Sequence, residues 1–111
     1  MTINIRTVDQ VTILDLSGSF KAGEAEQGFR NSVGELLSAG VNKIAVNLAG
    51  VSFLDSSGVG SLVHTFLNLK EKGGKFKVFA ASKQVALTLR MVRLDKVLGL
   101  ADDEATALAG F

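Results

Sequence analysis

The stretch that decides the fold is "FLDSSGVGSLV", residues 53–63. Two strand-forming apolar residues run into Asp55, two serines and a glycine follow, and then a helix-like apolar pattern begins. A strand that breaks at Asp-Ser-Ser-Gly and resumes as a helix is the punctuation of an α/β chain. It also raises a chemical question, because one side chain is enough to cap a helix and three polar ones stand here.

Working outward, the residues before the turn, "VNKIAVNLAGV", are rich in β-branched types and apolar on both faces in their middle. That suits a central strand covered on both sides. After the turn a helix is expected from about Ser57 to Lys72, stopped by Gly73-Gly74. Val59, Leu62, Val63, Phe66 and Leu69 fall on one side of it, and Ser61, His64, Thr65 and Asn68 on the other.

Further toward the N-terminus, "TINIRTV" and "VTILDLSG" each alternate apolar and polar residues and predict a strand hairpin turned at Asp9-Gln10. Residues 22–39 place Phe29, Val33, Leu36 and Leu37 on one helical face, with Gly28 and Gly34 inside and Gly40 as the stop. Toward the C-terminus, "KFKVFAA" is a strand, Ser82 caps a helix "KQVALTLRMV", "KVLGL" is a short last strand, and "DDEATALAGF" is a helix with acids in its first turn. The order β-β-α-β-α-β-α-β-α predicts one α/β domain over residues 1–111. Its sheet of about five strands is mainly parallel, carries about four helices and has an antiparallel edge.

Composition narrows the function. The chain has 111 residues, 47% of them hydrophobic and 21% charged, which favours a folded core. Its net charge is +1 with the basic residues scattered, so nucleic acid is not an expected partner. It has no cysteine, which excludes disulfides, thiolate metal sites and cysteine nucleophiles. No apolar run reaches membrane-spanning length and the opening residues lack a signal-peptide core, so the expected location is cytoplasmic, without membrane insertion.

The turn after a central strand is where open α/β sheets place ligands, which singles out Asp55, Ser56, Ser57 and Gly58. A serine there can cap the helix, and one of the two hydroxyls is then spare. A nucleophilic role lacks support. The elbow G-x-S-x-G is missing, and His64 lies about two turns further along the same helix. A phosphate loop would need more glycines and a lysine before the hydroxyl. Asp102, Asp103 and Glu104 suit a charged first turn better than a metal site. A phosphate added at a helix start is favoured by the dipole, so it would change surface charge without unfolding the domain.

The string "LAGVSFLDSSGVGSLV" resembles the signature of the STAS domain, as found in bacterial anti-sigma factor antagonists: L-x-x-V/L-x-F-[ML]-D-S-[ST]-G-[LV]-G followed by a helix. The later run "GGKFKVFAASKQVALTLRMVRLDKVLGLADDEATAL" is similar to the second half of that family. The resemblance implies a phosphorylation site at Ser56, the serine directly after the aspartate. It also implies a partner surface that includes Asp55, Ser57, Gly58 and Val59. It implies a non-enzymatic, partner-switching regulator of transcription that needs no cofactor of its own. The unphosphorylated form binds an anti-sigma factor that is also a serine protein kinase and so frees a sigma factor. Phosphorylation reverses this, and a PP2C-type phosphatase restores the first state. The alternative is a STAS subunit of a signalling complex or lipid-transport system that uses the same surface without phosphorylation. One departure stands out: many relatives carry G-x-[LI]-D after the second strand, where this chain has Gly18-Ser19-Phe20-Lys21. Lys21 therefore puts a base where the family's partner surface usually presents an acid.

Overall fold

In the computed structural model, which describes residues 1–111, the two alternating segments form antiparallel strands β1 (Thr2–Val8) and β2 (Val11–Phe20). Asp9 and Gln10 join them with φ of 50° and 69°. Positive φ at both central residues gives the turn whose twist matches the flanking strands. The hairpin therefore forms from strand patterning, although Gln10 is an unusual occupant of that conformation.

The chain continues as α1 (Glu24–Ser38), β3 (Lys43–Leu54), α2 (Ser56–Glu71), β4 (Lys75–Phe79), α3 (Lys83–Met91) and α4 (Glu104–Ala109). The sheet order is β1-β2-β3-β4, with β2-β3 and β3-β4 parallel. The sheet has four strands, not five. The expected last strand, Lys96–Leu100, does not form. Its backbone is consumed locally, since Leu98 N–H donates to Leu94 O, Gly99 N–H to Lys96 O and Leu100 N–H to Asp95 O. Gly99, at φ 64°, turns the chain there. What remains of the strand is a single parallel bridge between Phe79 and Ala101.

The sheet separates two apolar layers of unequal size. Leu14, Leu16, Ile44, Val46, Leu48 and Val78 face α1, α2 and α3, and pack with Phe29, Val33, Leu62, Leu69, Val85 and Leu89. On the other face only Val11, Ile13, Ala45 and Phe79 are buried, under Ala107 of the short α4. Ile44, Ala45 and Val46 are all fully buried, as a strand covered on both sides requires.

Helix α2 departs from the simple two-sided reading. Leu62 and Leu69 face the core as expected, but Ser61 and Thr65 are buried too. They lie against α1, where Val33, Gly34 and Leu37 share a cleft with them. Thr65 satisfies its hydroxyl internally by donating to Ser61 O at 2.9 Å. The exposed residues of α2 are thus Ser56, Gly60, His64 and Leu67, with Lys70 and Glu71 in its last turn.

Candidate functional site

Strand β3 ends at Leu54, and Asp55 takes an extended conformation (φ −95°, ψ −177°) as the N-cap of α2. Its Oδ1 accepts the Gly58 N–H at 2.9 Å. Its Oδ2 accepts the Ala22 N–H at 3.0 Å, and its own N–H donates to Phe20 O at 3.3 Å. The loop between β2 and α1, which carries Lys21, is thereby fastened to the turn. The N–H groups of Gly58, Ala22 and Ser57 stabilise the ionised Asp55 carboxyl and hold its pKa below the ordinary aspartate value.

The cap is therefore the aspartate and not a serine. Ser56 is exposed and Ser57 half-buried at the first two helical positions. Gly58 is buried beneath them, and its role is to be small. A Cβ there would lie 2.5 Å from Phe20 O and 2.7 Å from Leu54 Cδ1. Val59 is half-buried and packs on the main core. Lys21 is exposed on the fastened loop. Of the residues singled out from sequence, Asp55, Ser56, Ser57 and Lys21 come together at the surface, while Gly58 and Val59 support them from below.

Two contributors were not singled out from the sequence. Ala22 supplies a backbone donor from 33 residues away, and no local pattern announces such a bond. Phe53 is 45% exposed beside the turn. Strict strand alternation would place it on the face of buried Val51, and a register shift that skips Ser52 turns it outward instead.

The site offers Ser56 no general base. His64, also on the solvent face of α2, stands eight positions on, about 12 Å along the helix axis. No group of His, Asp and Glu side chains is arranged to hold a metal ion. No helix is long and apolar enough to cross a membrane.

A family model described as STAS domain matches residues 2–107. A Thermotoga maritima protein named as a candidate anti-sigma factor antagonist is 26% identical over 103 residues, which is 93% of this chain and 91% of that protein. A crystal structure of a candidate anti-sigma factor antagonist from Thermotoga maritima superposes with a TM-score of 0.90 at 25% identity, covering 97% of this chain and 92% of the other. The Bacillus cell fate determinant SpoIIAA, solved in its phosphorylated form, gives a TM-score of 0.76 at 19% identity, covering 98% of this chain and 97% of SpoIIAA. At that identity the likeness to SpoIIAA concerns the fold alone.

Proposed function

This chain belongs to the STAS domain family, and on that premise we propose that it is an anti-sigma factor antagonist switched by phosphorylation of Ser56. The observation that carries the reading is the division of labour at the turn. Asp55 does the capping, so the Ser56 hydroxyl is exposed with no structural duty. The crystal structure most like this chain among those compared above is of a candidate antagonist, and SpoIIAA is a phosphorylated protein of the same fold.

The proposed partner is an anti-sigma factor with serine-kinase activity, which docks over Ser56, Ser57, Asp55, Phe53 and Lys21 when Ser56 is unmodified. Phosphorylation adds roughly two negative charges at the first position of α2. The helix dipole tolerates them, so the fold persists. Beside the ionised Asp55 they reverse the electrostatic character of the surface, and the partner is released. A PP2C-type phosphatase would reset the switch in the cytoplasm. The protein is a substrate in this cycle and catalyses no step of it. Lys21 sets which kinase fits, because a rim charge acts mainly on association rate and specificity.

The test is phosphorylation by the cognate kinase with ATP, followed by mass spectrometry. The expected result is one phosphate at Ser56, lost in Ser56→Ala and retained in Ser57→Ala. Labelling unchanged in Ser56→Ala would move the acceptor elsewhere. A partner that binds the turn and never modifies it would favour the unphosphorylated STAS subunit instead.

A further inference from the structure

The basic residues look scattered along the sequence, yet the fold gathers four of the lysines around one cavity of about 340 Å³. Lys70 comes from the last turn of α2, Lys75 and Lys77 from β4, and Lys96 from the turn segment that replaces the expected strand. No Asp or Glu side chain lines the cavity, and none of these lysines makes a salt bridge with one. Lys75 and Lys70 make weak contacts. Lys75 Nζ is 3.4 Å from Phe111 O, and Lys70 Nζ lies 5.8 Å from the Phe66 ring centroid.

The cavity also contains a free backbone donor. Along β4 the outward-facing residues are Phe76 and Val78, and the next is Ala80. Val78 and Ala80 are satisfied by Leu98 and Ala101, whereas Phe76 has no bond on that side. Its N–H therefore opens into the same space. At the end of α2 the Leu69 and Lys70 carbonyls are occupied by the N–H groups of Lys72, Gly73 and Gly74. Space is kept open by glycines. A Cβ at Gly110 would lie 2.9 Å from Lys77 Nζ, and one at Gly99 3.1 Å from it.

Lysines on an edge strand deter pairing with other chains. That accounts for Lys75 and Lys77 but not for Lys70 and Lys96, which belong to other elements. Four cations that line one groove with no Asp or Glu among them repel one another, and a bound anion removes that cost. The modest size of the groove, and the covering of the upper half of the β4 edge by residues 98–101, favour a small ligand over an added peptide strand. We propose that this groove binds a small, multiply charged phosphate anion, with Lys70, Lys75, Lys77 and Lys96 as its cations and the Phe76 N–H as a directed donor. The groove lies at the far end of α2 from Ser56, about 20 Å along the helix. It is thus a second site, independent of the proposed partner surface.

The experiment titrates the full chain with inorganic tripolyphosphate and follows backbone amides by NMR at low and at physiological salt. Saturable shifts are expected at Lys70, Phe76, Lys77, Gly99 and Gly110, with little change at Ser56. Lys70→Gln and Lys96→Gln, both at exposed positions that leave the fold intact, are each expected to weaken binding about tenfold. Lys83→Gln, outside the groove, is expected to leave it unchanged. ATP serves as a second probe. Tighter binding than tripolyphosphate, with added shifts at Phe66, would identify a nucleotide as the source of the phosphates, and equal or weaker binding an inorganic or sugar phosphate. Shifts that never saturate, or that fall equally in Lys83→Gln, would overturn the proposal. So would binding to anionic lipid vesicles without binding to either soluble probe.

Discussion

Asp15 and Asp55 are both held ionised below the ordinary carboxylate range, and they are held by opposite means. Asp15 lies on the α4 face of the sheet. The Arg6 guanidinium, then the amides of Asn47 and Asn4, lower its pKa from the usual 3.8 to about 2. Arg6 also pairs with Glu104, so the network ties β1, β2, β3 and α4 together. Asp55 has no side-chain partner at all, and its acidity is set by backbone N–H groups. In the first region every polar side chain is spent on another. In the second the backbone satisfies the carboxylate, and the neighbouring hydroxyl of Ser56 is left over. A depressed pKa thus marks both regions and distinguishes neither. What distinguishes them is the unused group.

The largest expected effect breaks the second region sterically. Gly58→Ala forces a methyl against Phe20 O, and overpacking of this kind costs about 2–3 kcal/mol. Denaturant unfolding measures it. A loss below about 0.5 kcal/mol would mean that the turn yields, and that it is not the rigid frame described above.

The next breaks the first region electrostatically. Arg6→Gln is expected to cost about 1 kcal/mol at neutral pH, because the network is only partly shielded from solvent. The sign of its pH dependence follows from Asp15. A carboxyl with depressed folded-state pKa contributes stability that is present above 3.8 and lost as the pH falls toward about 2. Wild type should therefore lose stability across that window more steeply than Arg6→Gln, as read from unfolding midpoints. Parallel curves would show that Asp15 is not the group being titrated.

Gly60→Ala sharpens the contrast in the opposite direction. Gly60 lies two residues beyond Gly58, on the solvent face, and a Cβ there meets nothing within 4 Å. The substitution should stabilise the protein by about 0.5–1 kcal/mol through helix propensity. Destabilisation would show that this turn of α2 is strained in a way the Gly58 contacts alone do not explain.

The smallest expected effect on stability is that of Ser56→Asp, a gain of a few tenths of a kcal/mol at the positive end of α2. Circular dichroism should remain that of wild type, while the affinity for the kinase partner falls. Loss of helical signal would place the switch in local unfolding and not in surface charge.

Much of this architecture is legible in the residues taken in order. Alternation in Thr2–Val8 and Val11–Phe20 reports the hairpin, and the apolar run around Ile44–Val46 reports a strand buried on both faces. The Asp-Ser-Ser-Gly break reports the start of α2, to within one residue. These signals are local, because a strand or helix imposes its period on residues two to four apart. The misses are all matters of what lies across from a residue. The apolar "KVLGL" satisfies a strand pattern, but its Leu98, Gly99 and Leu100 N–H groups are taken up by local turns and only Leu98 is fully buried. Ser61 and Thr65 look like a solvent face until α1 covers them. That Asp55, and neither serine, is the cap was decided by geometry, and the Ala22 N–H that shares the carboxylate arrives from a distant loop. The four lysines of the β4 groove stand on three separate elements. Sequence by itself determined which segments become strands and helices, because backbone conformation responds to near neighbours. Tertiary structure alone decided which polar groups are satisfied, covered or left free, because hydrogen bonds and charges act across space between residues that the chain keeps far apart.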